Sequence, residues 1–449
     1  MRSAPAICIL LTLAGAAAAG ELRAGAAIRK VTPSLDQPRY LAGFGEGRAA
    51  TGVHDDLWTR CLALSSGAKP VVVCAVDTIG LFYDDVRKIR ALVPEALLVV
   101  ASTHVHEAPD TMGQWGPRMG VSGLDEAYNA SIIEKTADAA REALQKLEPA
   151  QAFPASVTPR DVAAWYDDSR PPVVHDPEIL SLTLRGRGSR TIATLVNWNN
   201  HPEALGSRNT LITSDWPHFM RAKLEAAGAG PVVFVNGAMG GMQSPLGAKI
   251  VDPATGAPAP ANSFRFAEVV GEYAAGHVLA SGKKAKRAKI DQVDYREAEI
   301  PIPVANQMFI LASKSGMFKG RKAFTPDGMT VVPVGYLRLA AGAKPVVEVA
   351  MIPGEMYPEN SLGGVVCDPN SEFPDAKPET PIKKMMTAPY RMLFGLANDE
   401  IGYILPKCQW DEKPPFTFGA TKRWYGEVNS VGPEAAGRIA AAFEQLLRD

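Results

Sequence analysis

Histidine is scarce in this chain, seven in 449 residues, and two of the seven stand two apart in Ser102-Thr-His-Val-His-Glu-Ala-Pro-Asp110. Neutral imidazole is a good zinc ligand. The pair follows an apolar run, Leu97 to Ala101, that reads as a strand. Residues two apart on a strand face the same way, so His104 and His106 are expected to point together from its C-terminal end. Open α/β sheets place ligand sites there. A second histidine, His201, follows the apolar run Ile192 to Val196 in Asn197-Trp-Asn-Asn-His201-Pro-Glu203. A carboxylate, Glu355, follows a third run, Val347 to Ile352, directly after Pro353-Gly354. Each has a plain alternative: a surface histidine pair, a hydrogen-bonded structural histidine, a turn residue. Together they form the set of two histidines and a carboxylate used by catalytic zinc hydrolases, with a fourth position left for water.

The elements that must carry these residues alternate. Val71 to Val76, Ala96 to Ser102, Ile192 to Trp198 and Pro231 to Val235 read as buried strands. Asp84 to Leu92, Tyr128 to Leu147, Trp216 to Ala226 and Ser263 to Leu279 have helical periodicity. After a basic connection, Lys283 to Lys289, the chain turns strand-like at Val293 to Val304, Val334 to Ala340 and Val346 to Met351. A long loop, Gly363 to Lys384, precedes an amphipathic final helix, Pro433 to Leu447. This pattern predicts an α/β fold of layered mixed sheets flanked by helices, as one large domain.

Composition narrows the partners. Met1-Arg2, the apolar run Ala6 to Leu13 and small residues before Gly20 read as a secretory leader over residues 1–20. The run is too short for a good membrane span, and no second long apolar stretch follows. The chain is therefore expected to be exported, periplasmic or secreted. The formal charge of −1 becomes about −2 once the leader and its one Arg are removed. That excludes a nucleic-acid partner of the usual basic type. Transient contact with a membrane surface and the oligomeric state stay open. Four cysteines remain beyond the leader: Cys61 and Cys74 in strand-like runs, Cys367 and Cys408 in loops, the latter two a candidate disulfide. No CxxC is present, which argues against a cysteine zinc site.

Several spaced motifs, in order, resemble the catalytic domain of the neutral/alkaline (non-lysosomal) ceramidases. Ala24 to Pro33 resembles the family's opening strand, and Gly52-Val-His-Asp-Asp-Leu57 its Gly-Val-His-Asp-Pro-Leu segment. Residues 103–109 resemble its Thr-His-x-His-Ser-Gly-Pro motif, Asn200-His-Pro202 its His-Pro motif and Pro353-Gly-Glu355 its Pro-Gly-Glu motif. Asn398 to Tyr403 resembles the segment carrying a zinc-bound tyrosine. The resemblance covers nearly all of residues 21–449. It implies Zn2+ held by His104, His201, Glu355 and Tyr403, and hydrolysis of an N-acylated lipid of the ceramide type by a metal-activated water. His106 would bind substrate or water or shuttle a proton. Arg170, in Asp168-Ser-Arg-Pro171, takes roughly the place of a substrate-binding arginine, and Ser244-Pro245 resembles part of a family Gly-Asp-Val-Ser-Pro stretch.

The departures keep other readings open. Gly241, Met242 and Gln243 stand where that stretch has its Asp, and Glu107-Ala108 replaces Ser-Gly. Glu107 reads as an exposed loop acid or as a new carboxylate beside the site. The immunoglobulin-like C-terminal domain of well-known ceramidases has no counterpart here. A zinc amidase or esterase for a non-ceramide substrate, or an inactive binding protein on the same scaffold, are the alternatives. A deep apolar channel beside the metal would favour a long-chain lipid.

Overall fold

The computed structural model describes residues 20–168, 170–320, 322, 324–325 and 327–448; residues 1–19 of the predicted leader lie outside it. The first layer comprises β1 (Arg23–Lys30), β2 (Trp58–Ser65), β3 (Val71–Val76), α1 (Tyr83–Leu92), β4 (Leu97–Ser102), α2 (Glu126–Gln145) and the short β5 (Glu148–Pro149). Its strands lie in the order β4-β3-β2-β1-β5, with β3 and β4 parallel. The second layer comprises β6 (Gln151–Val157), β7 (Ile179–Arg185), β8 (Thr191–Trp198), α3 (Trp216–Ala226), β9 (Val232–Asn236) and α4 (Phe264–Gly282). The order is β9-β8-β7-β6, with β8 and β9 parallel. The third comprises β10 (Gln292–Pro303), α5 (Gln307–Lys314), β11 (Met329–Ala341), β12 (Lys344–Met351), β13 (Glu355–Met356), β14 (Tyr390–Phe394), β15 (Tyr403–Ile404) and α6 (Ala435–Arg448). Here the order is β10-β11-β12-β14, and β12 and β14 are parallel.

Period-two alternation explains how the layers stack. In β3, Val71, Val73 and Ala75 face a core shared with Leu182 and Leu195 of the second sheet and Leu337, Val349 and Phe394 of the third. Val72, Cys74 and Val76 face the opposite way, against Val86 and Ile89 of α1 and Ile132 and Ala140 of α2. The second and third sheets repeat the device. Trp216 and Met220 of α3 and Val270 of α4 cover Val196 and Phe234. Ile439, Phe443 and Leu446 of α6 cover Ile300 and Val334. Each fully buried aliphatic or aromatic side chain contributes about 1.5–3 kcal/mol, so three sheets sharing one core hold their strand ends in fixed relation.

Side chains start the helices. Asp125 accepts the Tyr128 N–H at 2.7 Å, and Ser263 accepts the Phe266 N–H at 3.1 Å. The expected layered α/β class and its main elements are present. Helix α5 is additional, and the long loop from Gly363 closes in a helical turn, Ile382–Met385. Cys367 bonds Cys408, the candidate pair, and Cys61 on β2 bonds Cys74 directly across on β3. Among the described residues, no helix is long and apolar enough to cross a membrane.

Candidate metal centre

Strands β4, β8 and β12, each parallel to a neighbour in its own sheet, end toward one place; Gly237 N–H donates to Trp198 O at 3.2 Å and Ile352 N–H to Phe394 O at 2.8 Å, tying β8 and β12 to the ends of β9 and β14. Ser102 N–H donates to Leu396 O at 3.1 Å, Gly395 N–H to Asn236 O at 3.0 Å, and Asn398 N–H to Val100 O at 2.7 Å. The Asn236 side-chain amide donates to Thr103 O. Beyond β4 the chain does not continue as a strand. His104 has φ 63°, so the same-face geometry expected for His104 and His106 does not apply. A left-handed residue turns the chain instead, and both rings still reach the cluster. Leu396 (φ 47°) and Asn398 (φ 66°), which pair with β4, are left-handed too. Strained backbone of this kind persists where surrounding structure over-determines it.

His104, His106 and His201 are buried, and their ligating atoms lie within 4.8 Å of one another. His104 Nδ1 lies 2.7 Å from Ile79 O, and His201 Nδ1 lies 3.0 Å from Gln243 O. An Nδ1–H donated to a carbonyl fixes the tautomer and frees Nε2, the usual outer contact of a metal-binding histidine. Both freed nitrogens face Glu355: Oε2 is 2.9 Å from His201 Nε2 and 3.4 Å from His104 Nε2. Burial works against charge on Glu355, but the two imidazoles overcome it and hold the carboxyl well below its usual range. Burial, then the neighbouring imidazoles and Arg48, holds His106 well below the ordinary histidine value, in the neutral form that binds metals. The donor set therefore fits a divalent ion such as zinc.

Tyr403 pairs with Glu355 across β13 and β15 and is buried. Its hydroxyl donates to Met242 Sδ at 3.0 Å. The altered stretch thus positions the site in its own way. Met242 receives Tyr403, and the Gln243 carbonyl receives both the backbone N–H of His201, at 2.8 Å, and its ring nitrogen. Ser244 is buried near Glu203 but does not line the cavity described below. Arg170 does not line it either. Far from being a surface residue, it is 4% exposed, its Nη2 2.9 Å from Glu427 Oε1 and 2.9 Å from Gln409 O. Glu107 is not an exposed acid: it is fully buried. His54 does bond Asp55, Nδ1 to Oδ2 at 2.8 Å, but at the surface and stacked on Phe264.

A cavity of about 70 Å³ opens over His104, His106, Glu355 and Tyr403. Phe82, Met112, Trp115, Phe309, Phe318 and Phe324 form its apolar wall, while Lys322 brings charge and Glu400 a carboxyl group. Glu400 is buried, and burial followed by the Glu355 charge pushes its carboxyl well up. Glu203 and Glu400 lie inside the motifs at 197–203 and 398–403, neither of which pointed to a role for them. Their signal was a carboxylate two or three residues from a candidate ligand. The aromatic wall gave none, because its members come from four separate segments.

Neutral ceramidase from Pseudomonas aeruginosa shares this fold with a TM-score of 0.70 at 15% identity, over 94% of this chain and 73% of its own. A ceramidase complexed with C2 does so with a TM-score of 0.71 at 14% identity, over 95% of this chain and 75% of its own. The fold implied by the spaced motifs is therefore the observed one. No family model and no curated protein matches the sequence.

Proposed function

We propose that this chain is a zinc-dependent amidohydrolase cleaving an N-acylated lipid of the ceramide class, with residues 21–449 as the catalytic domain and 1–20 as an export leader to the periplasm or medium. One observation carries the reading: His104 and His201 present freed Nε2 atoms to Glu355 under an apolar-walled cavity. It sits in a fold shared with proteins described as ceramidases.

His104, His201 and Glu355 would hold the ion, with Tyr403 turning from Met242 to join them. A bound zinc supplies Lewis acidity, polarising the amide carbonyl and lowering the pKa of water. The chain's own residues do the rest. The aromatic wall takes the apolar chain and excludes water. Neutral His106 faces the same space, where a ring nitrogen can hydrogen-bond substrate or water. Arg170 and Ser244 support the site from behind rather than touching substrate: Arg170 packs on the Tyr357 ring, whose neighbour is Tyr403.

The test is zinc content and ceramide hydrolysis for the wild type and His201→Ala side by side. About one zinc or more in the wild type, lost with activity in the variant, supports the reading; a metal-replete wild type without zinc overturns it. An amidase or esterase for a smaller substrate is favoured by one observation. The enclosed part of the cavity holds only a few waters, so a small acyl group would fill it. Hydrolysis of short N-acyl amides without long-chain ceramide would select that reading.

A further inference from the structure

Behind the cavity lies a second set of ligand atoms. Glu203, two residues after His201, is fully buried, and its Oε2 is 3.3 Å from His106 Nδ1. The two do not form a hydrogen bond. Both nitrogens of His106 are buried without a hydrogen-bond partner, and the Glu203 carboxyl has the neutral Ser244 hydroxyl as its partner. Glu107, next to His106, is fully buried with both oxygens unpartnered as well. Polar atoms buried in this way are costly, most of all when charged, so a group of them calls for a ligand.

Nearby side chains do not supply it. Arg48 gives Nη2 to the carbonyls of Ala42 and His106, and its Nε and Nη1 bond neither carboxylate. A cation would meet this need, because carboxylates that stay ionised when buried need positive charge. The 3.3 Å contact fits this: two ligands about 2.1 Å from one tetrahedral ion stand about 3.4 Å apart. The ligating atoms of all three histidines lie within 4.8 Å. A cation on His106 would therefore be a direct neighbour of one on His104 and His201.

We propose that His106 and Glu203 bind a second divalent cation, with Glu107 balancing its charge, beside the ion at His104, His201 and Glu355. This rests on the metal centre proposed above. The experiment counts metal per chain in the purified full-length mature protein, loaded with Zn2+ and desalted, and records the EPR spectrum after Mn2+ loading. Two ions per chain and a spin-coupled Mn2+ spectrum are expected. Glu203→Gln, nearly the same shape, should keep one ion and lose the coupling. One ion in the wild type overturns the second site while leaving the first, and Glu203 then only orients His106. No ion overturns both. Two ions retained in Glu203→Gln places the second elsewhere and overturns the assignment. The wild-type count decides the matter even where the variant fails to fold.

Discussion

Gly43 offers a direct test of how the histidine cluster is packed. Its φ is 94°, and a Cβ built there would lie 2.3 Å from His106 Nδ1 and 2.5 Å from Cγ. Ordinary contact begins near 3.4 Å, so Gly43→Ala must push the His106 ring by roughly 1 Å. A misplacement of that size costs about 10²-fold in rate, or about 2.7 kcal/mol of barrier. The backbone strain adds about 1–3 kcal/mol to the loss of stability. Gly45 separates the two effects: its φ is 113°, but nothing lies within 4 Å of its Cβ position. Gly45→Ala should therefore lose similar stability by chemical denaturation and keep its kcat/KM and metal content. Gly43→Ala should lose about 10²-fold in kcat/KM for N-acyl hydrolysis as well. Equal activity in the two variants would refute the claim that Gly43 is small to make room for His106.

Other perturbations follow from the same geometry. Glu355→Gln removes the one charge that touches both His104 and His201, so zinc affinity should fall by more than the about 10–100-fold typical of outer contacts, read by competition with a chelating dye. Arg221 gives two bonds of 2.9 Å to buried Asp77; Arg221→Met leaves that carboxylate uncompensated and should cost about 3–5 kcal/mol in urea unfolding. Asn197 donates to Val235 O and Leu393 O, both at 2.9 Å, joining the second and third sheets. Asn197→Ala orphans both carbonyls and should cost about 2–4 kcal/mol. Glu359 is pushed up to about 7, by burial first. Its folded form holds the proton longer than the unfolded chain, so stability should fall as pH rises from about 4.5 through 7, by on the order of 3 kcal/mol. Glu359→Gln should flatten that window in a pH series of unfolding midpoints.

The strand Val71–Val76 was legible because burial on both faces leaves an unbroken apolar run, and the helix Trp216–Ala226 because burial on one face leaves a local period. The positions of His201 and Glu355 were legible for a similar reason: each follows a run that reads as a buried strand. The geometry at His104 was not, because a left-handed turn there is imposed by residues near 396–398. The burial of Glu107 and Arg170 depends on segments far away in sequence, and no local pattern encodes it. Helix α5 was missed because none of its residues is fully buried, so its period carries no core-facing stripe.

The ligand set proposed for the metal spans residues 104 to 403, one contribution from the first layer, one from the second and two from the third. A ribosome that has released only the first two layers has made half a site. Loading with metal must therefore wait until synthesis has passed Tyr403, and it becomes a late step of biogenesis. A chain truncated before that point would circulate as a metal-free body, open to whichever soft ion first meets its paired histidines.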